Sequence, residues 1–376
     1  MTGDQGAYDP FVRGRFPAGV RTIQALDTAR DRRFPCEIWY PAAVQHKGQD
    51  LAPGTQDTFT VPPGDTPRSQ MAVRDAAAQP GTNPLILYSH HSGGHRRAAT
   101  FLCTHLSSHG YVVAAVDHSE IVAAELVRRD GETAEQRTAR AEAWIASRVP
   151  DIRFLLDHLL NGAGWGSEIS IDQTKIGIVG HSFGGWTALA APEAERRIRA
   201  VVALAPGGNS QPRPGILPVK LTFAWGRDVP TLYLAASDDV PIPLSGVYEI
   251  FDRTPATKQM VVLHRADHEH FMDDVEEMHE AVRAMPFPPE LAWLPQEMRP
   301  IAELCSGEQA HLFVRGLTLC HMDSVLRRQE EAQRFLAGDL AAELAARGVD
   351  ATVHQPLTAP GLLPPRVNPP GTFYSR

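Results

Sequence analysis

The chain has 376 residues, 43% of them hydrophobic, and a formal net charge of −8; that supports a large core in one or two domains and argues against nucleic acid or an anionic membrane as the main partner. Cys36, Cys103, Cys305 and Cys320 stand far apart without CxxC spacing, which argues against a zinc motif or a disulfide framework and for buried free thiols. No apolar run reaches the length of a membrane span, so no stable membrane insertion is expected, and the polar start Met1-Thr2-Gly3-Asp4-Gln5-Gly6 carries no charged-then-apolar leader, which makes a cytoplasmic location the expectation.

Residues 1–19 read as an irregular N-terminus. Strand formers at 20–26 and 36–40, around a charged turn, predict an antiparallel hairpin at a sheet edge. Residues 42–83 are rich in Pro, Gly, Thr, Asp and Gln without a sustained period, the pattern of a long surface loop. Pro84-Leu85-Ile86-Leu87-Tyr88-Ser89 predicts a short buried strand that runs into His90-His91-Ser92-Gly93-Gly94-His95. A helix follows over 96–109 and stops at Gly110, then a buried strand over 111–117. Residues 119–146 are helical with a break near Asp130-Gly131, and 150–160 form an amphipathic helix.

At 175–191 an apolar, β-branched run meets a turn and a helix-forming segment, with Gly180-His181-Ser182-Phe183-Gly184 in the turn. A Gly-x-Ser-x-Gly turn between strand and helix lifts the serine hydroxyl above the sheet, and its glycines relieve crowding that side chains would cause. The helix N-terminus there favours developing negative charge. A lone serine is a weak nucleophile, so this reading requires a base and an acid that orients it. Strands predicted at 200–204, 231–236 and 259–264, alternating with helices, complete an α/β chain with a mostly parallel sheet, whose active residues collect at the carboxyl ends of strands.

Two such ends carry suitable chemistry. Ser237-Asp238-Asp239 follows the strand at 231–236, and Arg265-Ala266-Asp267-His268-Glu269-His270 follows the strand at 259–264. The order serine, acid, histidine is that of the α/β-hydrolase fold. His268 is the favoured base, with His264 (inside the predicted strand) and His270 as alternatives; Asp239 is the favoured acid, with Asp238 as the alternative. The oxyanion hole falls to the backbone N–H groups of Phe183 and of Ser92, the latter in the Gly-rich loop after the 84–89 strand. His91, His181 and Trp186 are expected to line the substrate pocket. His90, His91 and His95 match no helix-based metal pair, and His268-Glu269-His270 with Asp273-Asp274 reads as a solvated charged loop, so neither metal nor cofactor is expected.

The stretches 87–96, 106–118, 148–157 and 180–185, supported by 17–22 and 39–41, resemble the platelet-activating-factor acetylhydrolase family and its bacterial dienelactone-hydrolase-like relatives. The resemblance implies an α/β-hydrolase fold, a metal-free triad of Ser182, Asp239 and His268, oxyanion donors at Ser92 and Phe183, and hydrolysis of short-chain acyl esters, from acetylated lipids to small or polymeric esters. One departure stands out: where such relatives carry His-Gly, this chain has His90-His91, which adds bulk beside the oxyanion loop. True dienelactone hydrolases use a cysteine where this chain has Ser182, so that substrate does not carry over. The alternative function is a hydrolase-fold protein that binds a ligand or partner without turnover.

Past His268, residues 273–284 are acidic and helical. Pro286, Pro288, Pro289, Pro295 and Pro300 break the next stretch among Phe287, Leu291, Trp293 and Leu294. The expectation is one domain over 20–350, with 271–300 as a lid or substrate wall or else a packed surface loop, two helices within 306–347, and a Pro-rich tail over 351–376.

Overall fold

The computed structural model describes residues 8–61, 66–119, 129–162 and 169–354. Parts of the predicted N-terminus, of the 42–83 loop, of the 119–146 helix and of the tail lie outside those residues. The architecture is a ten-stranded sheet, in the order β12-β11-β10-β9-β8-β6-β7-β2-β1-β5, covered by helices on both faces.

Six strands form the parallel centre: β6 (Thr82–Ser89), β7 (Val112–Val116), β8 (Ser170–His181), β9 (Ile198–Leu204), β10 (Thr231–Ala236) and β11 (Lys258–Leu263). Their near-continuous apolar sequences follow from burial on both faces. Ile86 and Tyr88 of β6 point into one core, whereas Leu85 and Leu87 point into the other. The first core takes the buried faces of α1 (Thr100–Ser108), α7 (Gly307–Leu326), α8 (Glu330–Ala337) and α9 (Leu340–Ala345). The second takes α2 (Ala134–Leu160), α3 (Phe183–Ala194) and α4 (Leu244–Arg253). Two further helices, α5 (Val275–Ala284) and α6 (Trp293–Glu297), follow β11. After β6 the chain moves to β7 on one side, then crosses to β8 on the other; the crevice of a doubly wound sheet opens where the order reverses in this way.

The predicted hairpin is β1 (Ala18–Asp27) with β2 (Arg32–Pro41). It joins the sheet antiparallel through β2 and β7, but it is not the edge. β5 (Val73–Arg74) adds parallel to β1. The segment expected to be a loop over 42–83 also holds β3 (Asp57–Phe59) paired with β4 (Arg68–Gln70). Its order comes from polar side chains: Arg74 bonds both oxygens of Asp57, and Gln70 links Asp57 to Trp39. At the far end, the stretch read as the start of the tail opens with β12 (Ala351–His354), which pairs antiparallel with β11. The helices at 133–160 fuse into one 27-residue α2 that contains Pro150, and three helices, not two, fill 307–345. All four cysteines are buried and free.

Candidate active site

β8 delivers Ser182 to the switch point. Its backbone has φ 57° and ψ −116°, a conformation an L-residue adopts only when its surroundings enforce it. They do so here by close approach. A Cβ on Gly180 would lie 2.0 Å from the carbonyl oxygen of Gly184, and one on Gly184 would lie 1.9 Å from that of Ser89. The Ser182 N–H donates to Leu204 O at 2.9 Å, which ties the turn to β9. Phe183 opens α3, so its N–H belongs to the first helical turn, where donors have no intrahelical partner.

β10 and β11 deliver the polar partners. Nδ1 of His268 lies 2.7 Å from Oδ2 of Asp239, and the other Asp239 oxygen accepts the Ile242 N–H at 2.7 Å. With Nδ1 engaged, Nε2 of His268 is the ring nitrogen left for chemistry. The His268 ring stands 4.6 Å, centroid to centroid, from that of His181, the residue before Ser182. Burial pulls the His268 imidazole down, yet the Asp239 carboxylate, with Glu269 and Asp267 behind it, raises it to about 9. Burial raises Asp239 in turn, against the pull of the imidazole.

The competing residues are engaged elsewhere. Asp238 turns outward to Arg299 at 2.9 Å and accepts from Ser237 Oγ. β11 ends at Leu263, so His264 lies beyond the strand and contacts Thr352 Oγ1 at 2.5 Å. His270 is fully buried between Asp267 and the Cys305 carbonyl. The expectation of a solvated loop at His268-Glu269-His270 with Asp273-Asp274 is overturned for Glu269 and His270, which are buried beside the buried Asp267, while Asp274 is exposed. Asp267 caps the single turn that carries His268 (His268–Phe271). It also faces His279 Nδ1 at 2.5 Å, while His279 Nε2 donates to Arg299 O at 2.9 Å. Asp267, Glu269 and His279 could close on a cation, their ligand atoms lying within 4.8 Å of one another; here His279 occupies the carboxylate. Spacing in sequence could not have revealed this cluster, since His279 belongs to the next helix.

The loop after β6 brings Ser92 to the same end of the sheet, half-buried, next to Gly93 at φ 70°. Burial, with the charges of His95 and His268 adding to it, lowers His91 to about 3. The His91 ring lies 5.5 Å, centroid to centroid, from that of His181 and is tilted against it by 56°. His181 is fully buried between the rings of His91, His268 and Phe271, so it backs His268 and does not line an open pocket. Trp186 is likewise buried; its indole N–H donates to Lys220 O at 2.8 Å, and its ring stacks on Phe183. It joins the elbow helix to the long connection before β10. The 286–300 segment packs on that same connection: Arg213 stacks on Trp293 and pairs with Glu297 at 2.7 Å.

Sequence reasoning passed over Arg148, Asp151, His118 and Ser89. Asp151 Oδ2 lies 2.8 Å from His118 Nδ1, and His118 Nε2 lies 3.1 Å from Ser89 Oγ. Arg148 donates to Ser89 Oγ and to the carbonyls of His90 and His91. A charged residue on the inward face of an amphipathic helix, at 148 and again at 151, was the available signal.

This layout defines an α/β-hydrolase. A ferulic acid esterase from Streptomyces cinnamoneus has the same fold, with a TM-score of 0.56 at 24% identity over 84% of this chain and 92% of the esterase. The family model described as platelet-activating factor acetylhydrolase, isoform II, matches residues 68–151. Platelet-activating factor acetylhydrolase of Cavia porcellus is 28% identical over 33% of this chain and 35% of its own length; that of Gallus gallus is 28% identical over 35% and 41%. The chain thus has the α/β-hydrolase fold and resembles platelet-activating factor acetylhydrolases over part of its sequence, and it spans roughly a third to two-fifths of the length of these relatives. Among the described residues, no helix is long and apolar enough to cross a membrane.

Proposed function

We propose that the protein is a serine carboxylic-ester hydrolase with Ser182 as nucleophile, His268 as general base and Asp239 as the acid that orients it. The observation that carries this reading is the 2.7 Å contact of His268 Nδ1 with Asp239, with the His268 ring 4.6 Å from that of His181, the residue before a serine held at φ 57°. That contact fixes the neutral tautomer with a bare Nε2. Ser182 Oγ attacks the ester carbonyl carbon while its proton passes to His268 Nε2. The carbonyl oxygen becomes an oxyanion facing the N–H groups of Phe183 and Ser92. Collapse expels the alcohol, which takes the proton from His268, and leaves an acyl-enzyme. A water that gives its proton to His268 then attacks the acyl carbon and frees Ser182.

Short acyl groups suit the site. The rings of His91, His181 and Phe271 cluster beside the elbow at centroid spacings of 5.5 Å, and His91 occupies ground that a glycine would leave open. Acetyl esters of lipids or of small alcohols, and short polyester fragments, are the substrate classes in keeping with the acetylhydrolase relatives. The test is a fluorophosphonate probe followed by mass mapping, together with p-nitrophenyl esters of increasing acyl length. Labelling at Ser182 and the highest kcat/KM on acetate are expected. An intact protein that resists the probe and turns over no ester would instead be a binding protein on a hydrolase fold.

A further inference from the structure

Behind the loop that carries Ser92 lies a polar constellation that the proposed reaction does not use. Ser89, His118 and Asp151 are linked by the contacts of 3.1 and 2.8 Å given above, and all three are buried to within 1% of complete. Ser89 sits inside β6, paired with Gly180, so no ester reaches it. Its connection to the site runs through Arg148, one helical turn before Asp151 on α2 and wholly buried. Nη1 of Arg148 donates to Ser89 Oγ at 3.2 Å and to His90 O at 2.6 Å, and Nη2 donates to His91 O at 3.2 Å. The guanidinium carbon also lies 4.1 Å from the centroid of the Phe183 ring.

The amide that joins His91 to Ser92 is planar and trans, so its N–H points opposite to its carbonyl. Arg148 shares the His91 carbonyl with His90 Nδ1 at 2.7 Å and with the Gly94 N–H at 3.2 Å, and holding that carbonyl on the buried side aims the Ser92 N–H away from the core. The same guanidinium packs on the side chain of Phe183, whose N–H is the other donor. Burial first, then the Arg148 charge, keeps His90 and His118 well below the ordinary imidazole range, with Arg32 and Arg30 adding to it at His118. Asp151 is fixed in turn by Arg30 at 2.8 Å and Arg32 at 2.6 Å, both from the hairpin.

We propose that Arg148 is a positioning residue of the oxyanion hole. It aims the Ser92 N–H through the His90 and His91 carbonyls, and it sets the spacing of that donor from Phe183, with Ser89–His118–Asp151 as its brace. The inference rests on the ester-hydrolase reading. Wild-type protein is therefore assayed first: if it neither hydrolyses p-nitrophenyl acetate nor takes a fluorophosphonate, that reading falls and this one with it.

With an active wild type, Arg148→Met, Arg148→Lys and Ser89→Ala are compared by kcat, KM, thermal midpoint and affinity for an aryl trifluoromethyl ketone. Ser182 Oγ adds to the ketone carbon, its proton moves to His268, and the former carbonyl oxygen occupies the oxyanion hole. Arg148→Met is expected to lower kcat on the order of 10²-fold and to weaken the ketone by a similar factor, with KM within about threefold. Arg148→Lys, a point charge without the fork, recovers part of both. Ser89→Ala costs less than about tenfold, again in kcat and ketone affinity together. The proposal is overturned if folded Arg148→Met keeps kcat within about threefold of wild type, or if kcat falls while ketone affinity holds. Should Arg148→Met not fold, Arg148→Lys decides on the same two readouts, and wild-type values for it reject the idea.

Discussion

Two serine–histidine–aspartate groupings stand on neighbouring strands of this sheet. At the end of β8, Ser182 follows His181, whose ring lies 4.6 Å from that of His268, which is joined to Asp239 at 2.7 Å. On β6, Ser89 touches a His118–Asp151 pair joined at 2.8 Å. The residue types and pair distances are nearly the same, but the surroundings are opposite. His268 keeps 12% of its side chain exposed and has three carboxylates close by, which outweigh burial and raise it to about 9. His118 is sealed, and burial together with Arg148, Arg32 and Arg30 drives it far below the ordinary imidazole range. Ser182 is strained at positive φ, whereas Ser89 is an ordinary strand residue. The comparison teaches that the list of three residues does not make a base and a nucleophile. The sign of the neighbouring charge, solvent access and the backbone of the serine do.

The largest effect that could break the contrast is on the serines themselves. Ser182→Ala is expected to cost on the order of 10³-fold or more in p-nitrophenyl acetate turnover, against less than about tenfold for Ser89→Ala; equal losses would put the chemistry in the wrong grouping. Next in size, Asp239→Asn is expected to lose on the order of 10²–10⁴-fold by freeing the wrong tautomer. Asp238→Asn, which only releases an exposed pair with Arg299, should stay within about threefold.

The pH profile sharpens the comparison further. His268 must be neutral to take a proton, and its pKa lies near 9, so kcat/KM should climb through the alkaline range instead of levelling off near 7. Asp239→Asn removes the charge that holds the proton and should move the midpoint down by a unit or more. Stability follows the opposite sign in the two groupings. The His268–Asp239 ion pair contributes fully below the ordinary imidazole value of about 6.5 and is lost as pH rises through about 9. His118 stays neutral in the fold, so its contribution is lost as pH falls and the unfolded chain takes up the proton. The smallest predicted change is therefore in His118→Gln: a loss on the order of 1–3 kcal/mol from an unmade buried contact, seen as a lower melting temperature at pH 8, with the kcat/KM midpoint unmoved. A shifted midpoint would mean that His118 titrates in the working range after all.

Local pattern already told much of this in the sequence. The apolar runs that became β6 to β11 and the glycines around Ser182 are short-range signals, because a buried strand and a tight turn each select residues within a few positions. That an aspartate of 238–239 could meet a histidine of 264–270 was also legible, since both stretches follow strand ends in the order the fold uses. Less legible were the strands in 42–83 and at 351–354. Their sequences are short; β5 and β12 form because a distant partner, β1 or β11, supplies an open edge, whereas β3 and β4 pair with each other. The buried state of Asp267, Glu269 and His270 was misread for a related reason: charged runs are usually solvated, and only α5, bringing His279 to Asp267, reverses that here.

By itself, then, the order of amino acids determined an α/β chain with a Gly-x-Ser-x-Gly turn between strand and helix and polar residues at two later strand ends. Tertiary structure alone decided which aspartate meets which histidine, which serine is strained, and that Arg148 reaches both the His90 and His91 carbonyls and the Phe183 ring. The physical reason is range. Secondary structure and turns follow from forces between near neighbours, whereas proton affinity and donor placement depend on charges and carbonyls that come close only when α2, β6 and β8 pack together.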